Sequence, residues 1–369
     1  MSGVSFSDQE RFDWLRLART PRIGPVTFAQ LIQRFGSAAA ALETLPELRR
    51  SSRAKPVQIP PASKIETEIE RIDAYGARLI CSAEADYPPL LKALAPPPPV
   101  LTMLGNAALA HKPTIAIVGA RDASAAGRKM ARDMAARLSV AGFVIVSGLA
   151  RGIDGEAHAA SLSGGTVAVL GGGIDHIYPP QHERLYAAIA AEGLIVSESP
   201  VGYRAQARDF PRRNRIITGL SQGVVIVEAA ERSGSLISAR TAGEQGREVM
   251  AIPGSPLDPR AAGTNRLLRD GAILVRDTED VIEAISALGS GRMRAPPPPD
   301  FEFGAEPPDA LPESQLDAVR VALSATPMTI DALARAAGVG AARCAVILME
   351  LELSGEAITL SGGLAVKAY

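Results

Sequence analysis

A chain of 369 residues with 47% hydrophobic and 21% charged positions has the make-up of a globular protein of two or three domains. A net charge of −1 excludes a uniformly basic surface but permits a local cationic patch, and 4% aromatic residues exclude broad stacking platforms. Two cysteines, Cys81 and Cys344, are too few and too far apart for a disulfide framework or a zinc site. The polar opening stretch MSGVSFSDQERFDW carries no apolar export segment, and the longest apolar runs, such as Ile115 to Val118, are of strand length. The expectation is a cytoplasmic protein without a membrane segment.

Residues 7–48 read as short helices, with Gly24-Pro25 as the turn and first helical position of one of them. This pattern resembles a helix-hairpin-helix or sterile-alpha-motif-like module; a helical cap on the main domain is an equal alternative. After Pro96 to Pro99, short β-branched runs alternate with helical patterns. The expected strands are Thr114–Val118, Phe143–Ser147, Thr166–Leu170, Leu194–Ser197, Val224–Glu228 and Glu248–Ile252, with an edge at Ile273–Val275. Helices are expected over Ala125–Ala141, Gly152–Leu162, Glu183–Ala191, Ser235–Gln245 and Thr264–Arg269. Continuous apolar strands alternating with helices predict an α/β, extended Rossmann-like parallel sheet covered on both faces. A Gly-, Ser- and Pro-rich linker follows, and then a helix-helix-helix-strand-strand order with Thr329 as a helix cap, which is the winged-helix order. The domains are thus 1–75 (helical), 76–288 (Rossmann-like), 289–312 (linker) and 313–369 (winged helix).

Open parallel sheets bind ligands beyond the carboxyl ends of their strands. Those ends here are Gly119-Ala-Arg121, then Ser147-Gly148-Leu-Ala-Arg151-Gly152-Ile-Asp154, then Gly171-Gly172-Gly173, and Glu228 followed by Ser233-Gly234-Ser235. One glycine after a strand is ordinary turn chemistry, but four such turns on one rim suggest backbone N–H groups and helix N-termini arranged for phosphates. The dinucleotide fingerprint G-x-G-x-x-G is absent, no phosphate-loop lysine motif appears, and Arg121 stands where a pyrophosphate needs small residues. No nucleotide cofactor is expected.

Between the fourth and fifth strands, Tyr203 to Leu220 holds Arg204, Arg208, Arg212, Arg213 and Arg215 with a single acid, interleaved with Phe210 and Asn214. A charge run is ordinarily a solvated helix face. Guanidiniums mixed with one ring and one amide instead suit a nucleic-acid strand gripped by its backbone while a base is splayed and stacked. His158, His176 and His182 match no metal or triad spacing, and His158 reads as packing the helix after Gly152. Asp154, Glu198 and Glu228 read as supports for the arginines and loop amides rather than as acid–base groups. No catalytic residue and no metal ligand is expected.

The blocks Asp86-Tyr-Pro-Pro-Leu-Leu, Ile117-Val-Gly-Ala-Arg121, Ser147 to His158, Val169-Leu-Gly-Gly-Gly-Ile-Asp175 with Tyr178-Pro179, Ser197-Glu-Ser-Pro200, Phe210-Pro-Arg-Arg-Asn-Arg-Ile-Ile217, and Val227-Glu-Ala to Ser233-Gly-Ser-Leu236 follow one another along the chain. In their order and spacing the chain resembles the DNA-processing protein A (DprA/Smf) family over nearly its whole length. The resemblance implies a homodimer that binds and protects single-stranded DNA and loads the RecA recombinase in natural transformation or recombination. It also implies a DNA-binding pocket at Arg121, Ser147, Gly148, Phe210, Arg212, Asn214 and Arg215, with Ser233 to Ser235 beside it. Arg151, Gly152 and Arg213 join the candidates from their own positions on the rim and in the arginine run. Some relatives carry a lysine after the Tyr-Pro of the third loop, where this chain has Pro180. The alternative is a phosphoribohydrolase-type enzyme on a similar fold, but its Gly-Gly-x-Gly-Thr loop is replaced here by Ser233-Gly-Ser-Leu.

The C-terminal module carries four basic residues and six acidic ones from Pro312 onward. A groove-reading helix brings several cations to the phosphate backbone. This module is therefore expected to make protein contacts or to regulate access to the pocket.

Overall fold

The computed structural model describes residues 6–46, 57–289, 312–360 and 363–368. They form two compact units, one spanning residues 67–289 and the other residues 6–66 together with the C-terminal residues from 312 on. The first helices are α1 (Asp8–Ala18), α2 (Pro25–Phe35) and α3 (Ala38–Thr44), followed by α4 (Ala62–Ala74). Ser7 and Glu10 cap α1 reciprocally, which satisfies two amides that a helix end leaves open. Pro25 opens α2 after Gly24, as the sequence predicts, and Gly36 closes it in the left-handed conformation. The expected boundary at residue 75 coincides with the end of α4, whereas the compact units divide inside that helix.

The chain continues through β1 (Arg78–Cys81), α5 (Pro89–Lys92), β2 (Val100–Gly105), β3 (Thr114–Val118), α6 (Ala125–Val140), β4 (Val144–Ser147) and α7 (Ile153–Ser161). Next come β5 (Thr166–Leu170), α8 (Glu183–Glu192), β6 (Leu194–Ser197), α9 (Asp209–Gly219), β7 (Gly223–Ile226) and α10 (Ser235–Glu244). The unit closes with β8 (Glu248–Ala251), α11 (Ala262–Arg269), β9 (Ile273–Leu274) and α12 (Thr278–Gly289).

These nine strands form one sheet in the order β1-β2-β6-β5-β4-β3-β7-β8-β9. The seven from β6 to β9 are parallel, as the alternation of apolar strands and helices requires. The other two, β1 and β2, were not expected: they extend the β6 edge as an antiparallel pair. From β3 the chain steps outward to β6 on one side, and α9 then carries it back to β7 on the other. The order thus reverses between β3 and β7, which is the switch point where such sheets bind ligands. One apolar layer packs β-strand side chains against α9 and α10, and the opposite layer packs them against α6, α7 and α12.

The C-terminal elements are α13 (Glu313–Ala322), β10 (Met328–Thr329), α14 (Ile330–Ala337), α15 (Ala341–Ser354), β11 (Ala357–Leu360) and β12 (Leu364–Lys367). Three helices and a small antiparallel sheet in the order β10-β12-β11 make the expected winged helix, with β10 as an extra strand before α14. Thr329 caps α14, and Leu316, Val319, Leu333, Ile347, Leu348 and Leu351 fill the core. Within the same unit α15 touches α2: the Thr27 hydroxyl, itself buried, donates to Glu352 at 2.7 Å. Glu350 and Arg34 face each other beside it, where burial raises the carboxyl pKa and lowers that of the guanidinium. The expected linker over 289–312 lies outside the described residues except at its two ends. No single described helix is long and apolar enough to cross a membrane.

Candidate nucleic-acid interface

The second half of the arginine run, read as a gripping segment against a solvated-face alternative, is the helix α9, with Arg204 and Arg208 in the loop before it, and its sequence phase decides which of its arginines face outward. Arg213, Ile216, Ile217 and Leu220 fall three and four apart, so they share one side and are all buried. Arg212 is on the other side, with its side chain 62% exposed, while Arg215 is 22% exposed. Both pair with Glu198 from the end of β6: Arg215 at 2.5 Å and Arg212 at 3.6 Å. Glu198 holds these two guanidiniums next to each other at the carboxyl edge of the sheet.

Arg213, expected among the DNA contacts, faces the interior instead of the rim. It is 7% exposed, and its Nη1 donates to the Val169 carbonyl on β5. Burial lowers its pKa to about 10, with the nearby Asp154 acting in the opposite direction. Its guanidinium occupies the space beside Gly148 that any side chain would fill. Ser147, also an expected contact, is fully buried and donates its hydroxyl to the Ile117 carbonyl at 2.6 Å. Both side chains are turned inward, where they brace the strand ends.

The loop after β4 is held on all sides. Asp154 accepts the Gly148 amide at 3.1 Å and the Ala150 amide at 3.4 Å. His158 accepts the Leu149 amide at 3.3 Å through Nε2, and its Nδ1 lies 2.7 Å from the Thr166 hydroxyl. Burial lowers the His158 pKa to about 3, so the ring is neutral and able to accept. His182 reaches the Leu149 carbonyl at 3.0 Å, and Leu149 sits at φ 56°, a left-handed conformation for a residue with a Cβ. Gly152 follows at φ 75°, where its Cα passes the Arg121 carbonyl closely enough to forbid a side chain.

These bonds alter the expected picture of a glycine-lined phosphate rim. The amides of Gly148, Leu149 and Ala150 already have acceptors within the protein. At the start of α6, Glu228 accepts the Ser124 amide at 2.9 Å and the Ser124 hydroxyl, so a carboxylate occupies that helix N-terminus. At the start of α10, the Ser235 amide donates to Ser233 Oγ at 3.3 Å. What the rim offers outward is side chains. Arg121 and Arg151 project from the loops after β3 and β4, and Arg151 is loosely paired with Asp122 at 3.7 Å. Asn214 on α9 reaches the Gly234 carbonyl at 3.5 Å, bringing Ser233, Gly234 and Ser235 beside the helix. Phe210, at the first turn of α9, lies under the Arg121 guanidinium, 5.2 Å from Cζ to the ring centre. Sequence reasoning did not assign a role to Tyr178, whose ring centre lies 5.4 Å from that of Phe210.

A doubly wound parallel sheet with an arginine-lined switch point, accompanied by a small helical module and a winged helix, defines the class: a Rossmann-like α/β protein with accessory helical modules. The chain belongs to the DNA recombination-mediator protein A family, DprA/Smf, whose family model matches residues 78–286. A DprA-like N-terminal helix-hairpin-helix domain matches 8–70, and a DprA winged-helix domain matches 303–363. Protein Smf of Escherichia coli is 41% identical over 82% of this chain and 81% of its own length. DNA processing protein DprA of Bacillus subtilis is 43% identical over 61% of this chain and 80% of its own. Among solved structures, DprA of Streptococcus pneumoniae superposes with a TM-score of 0.63 at 30% identity, covering 76% of this chain and 98% of that one. DNA processing protein A of Helicobacter pylori, solved for its unique single-stranded DNA binding mode, superposes with a TM-score of 0.53 at 29% identity, covering 57% and 96%. The chain is thus a DprA-family DNA-processing and recombination-mediator protein.

Proposed function

We propose that this protein binds single-stranded DNA without reading its sequence, gripping the backbone with guanidiniums set around the first turns of α9. The observation that carries the reading is the convergence of Arg121, Arg151, Arg212 and Arg215 on one rim beside Phe210 and Asn214. Planar guanidiniums suit bidentate phosphate contact, and their concentration at one edge makes a net charge of −1 compatible with DNA binding. The single-stranded DNA binding mode of the Helicobacter pylori relative supports the same ligand here. In this reading Arg213, Ser147, Asp154, Glu198 and Glu228 set the frame and make no DNA contact. The protein acts as a homodimer and passes the bound strand to a RecA-type recombinase, a role in keeping with its family. The unit that joins the N-terminal helices to the winged helix serves protein contacts.

Titration against single- and double-stranded oligonucleotides over a range of salt tests the reading. Tighter binding of the single strand is expected, with a log–log salt slope of roughly −0.7 per phosphate neutralised. A flat salt response or a preference for duplex would overturn it.

A further inference from the structure

The last helix of a winged helix packs one face on its own core and turns the other outward. In α15 the inward face is Cys344, Ile347, Leu348 and Leu351. The outward face carries Met349, Glu350 and Glu352, and it is covered: Met349 is only 3% exposed, although it does not belong to the winged-helix core. On this side α15 meets α2, where Thr27, Gln30 and Arg34 fall three and four residues apart and so form one stripe. Thr27 donates to Glu352, and Arg34 faces Glu350. The Arg22 guanidinium lies at the C-terminal end of α15, where a Cβ on Gly355 would be 3.5 Å from Cζ. A cation at that end suits the helix dipole.

The stripe on α2 is matched only in part. Among the described residues, Nη1 of Arg34 and Oε1 of Gln30 are buried without a hydrogen-bond partner, although Glu350 faces the first of them. Each of these atoms has given up water and gained no bond in return. A helix that brought an acceptor to Arg34 and a donor to Gln30 would seat on α2 better than α15 does. What keeps α15 in place is its tether, since a flexible linker holds an attached module at an effective concentration on the order of 1 mM. We infer that α2 is a docking face for an acidic amphipathic helix of a partner protein, and that α15 occludes it in cis until such a helix displaces it. The inference rests on the protein-contact role proposed above for this unit and is independent of the DNA-binding rim.

The test uses the full chain and, as probe, a synthetic helical peptide of the α15 sequence Ala341–Ser354, with a counterpart carrying Glu350→Gln and Glu352→Gln. In the protein, Glu350→Lys sets a like charge against Arg34 without altering a winged-helix core residue, and so empties the face. Spin labels at Glu43→Cys on α3 and Val321→Cys on α13, both exposed, report the opening, since Cys81 and Cys344 are buried. Their distance distribution should broaden in Glu350→Lys and return to that of wild type in the charge swap Arg34→Glu with Glu350→Lys. The peptide is expected to bind Glu350→Lys at least about 10-fold tighter than wild type, because the tethered competitor is gone. The Gln counterpart should lose that gain, and so should the peptide against Glu350→Lys combined with Arg34→Ala. A peptide that binds both proteins alike, or neither, or whose affinity ignores Arg34→Ala, overturns the inference while the protein-contact role of the unit stands. If instead an oligonucleotide gains an Arg34-dependent affinity for Glu350→Lys and the peptide does not, the face takes phosphate and that role falls with the inference.

Discussion

The guanidinium of Arg213 fills the space beside Gly148: a Cβ on that glycine would come within 2.7 Å of Cζ. The guanidinium cannot move aside freely, because it donates to the Val169 carbonyl and is drawn to Asp154. Gly148→Ala is therefore expected to destabilise the sheet unit by about 1–3 kcal/mol through overpacking. Combined with Arg213→Ala it should cost much less than the two single changes added together, since one removes what the other strikes. Thermal or denaturant melts of the four proteins check this; additive costs would mean that the contact is not made.

Two arginines next to each other in sequence should behave differently toward DNA. Arg212→Ala, like Arg121→Ala, is expected to weaken binding for all sequences alike and to make the log–log salt slope shallower by about 0.7. Arg213→Lys should lower the melting temperature while leaving that slope as it is, because the buried guanidinium neutralises no phosphate. A slope change at Arg213 equal to that at Arg212 would place its side chain on the ligand and contradict its burial.

The neutral state of His158 has a pH signature. Its pKa in the folded protein, about 3, lies below the ordinary 6.5, so the unfolded chain binds the proton first as pH falls. Its contribution to stability is full above pH 6.5 and declines toward pH 3, with a slope approaching about 1.4 kcal/mol per pH unit. His158→Gln, melted alongside wild type, should show a flatter fall in that window. Asp154, whose pKa burial raises, is present in both proteins and drops out of the difference. Parallel melting curves would show that His158 titrates normally.

Glu352 links α15 both to α2, through Thr27, and to β11, where it accepts the Thr359 amide at 3.2 Å. Glu352→Ala leaves the buried Thr27 hydroxyl without its acceptor and is expected to cost about 1–3 kcal/mol in the stability of that unit. A double-mutant cycle with Thr27→Val should return a coupling of about 1 kcal/mol. A coupling near zero would mean that the terminal modules do not associate in solution.

The five central parallel strands, β3 to β7, were legible because each is buried on both faces and reads as an apolar run, as in Thr114–Val118. The pair β1 and β2 was not: Arg78-Leu-Ile-Cys is short and half exposed, and proline neighbours β2. In the arginine run the composition was legible but not its direction. The spacing of Arg213, Ile216, Ile217 and Leu220 held the needed signal, a helical apolar stripe with an arginine inside it. The engagement of the β4-loop amides was beyond the sequence, since a glycine-rich loop reads the same whether its N–H groups meet a ligand or Asp154. Tyr178 had no local pattern to mark it, because its neighbour Phe210 comes from a segment more than thirty residues later.

With Glu228 seated at the start of α6 and Asp154 on the β4 loop, this protein supplies its own counter-anions at two of the places where Rossmann-like sheets commonly hold phosphate. A solitary anion such as inorganic phosphate, or the phosphates of a free nucleotide, would have to compete with a tethered carboxylate at either place. In the single-stranded DNA reading a polymer also meets tethered carboxylates, Glu198 at Arg212 and Arg215 and Asp122 at Arg151, but its many phosphates engage the spaced guanidiniums together and each contact raises the local concentration of the next. On that reading the cell's abundant pool of mononucleotides is a poor competitor for this rim, and length of strand is the property by which it chooses.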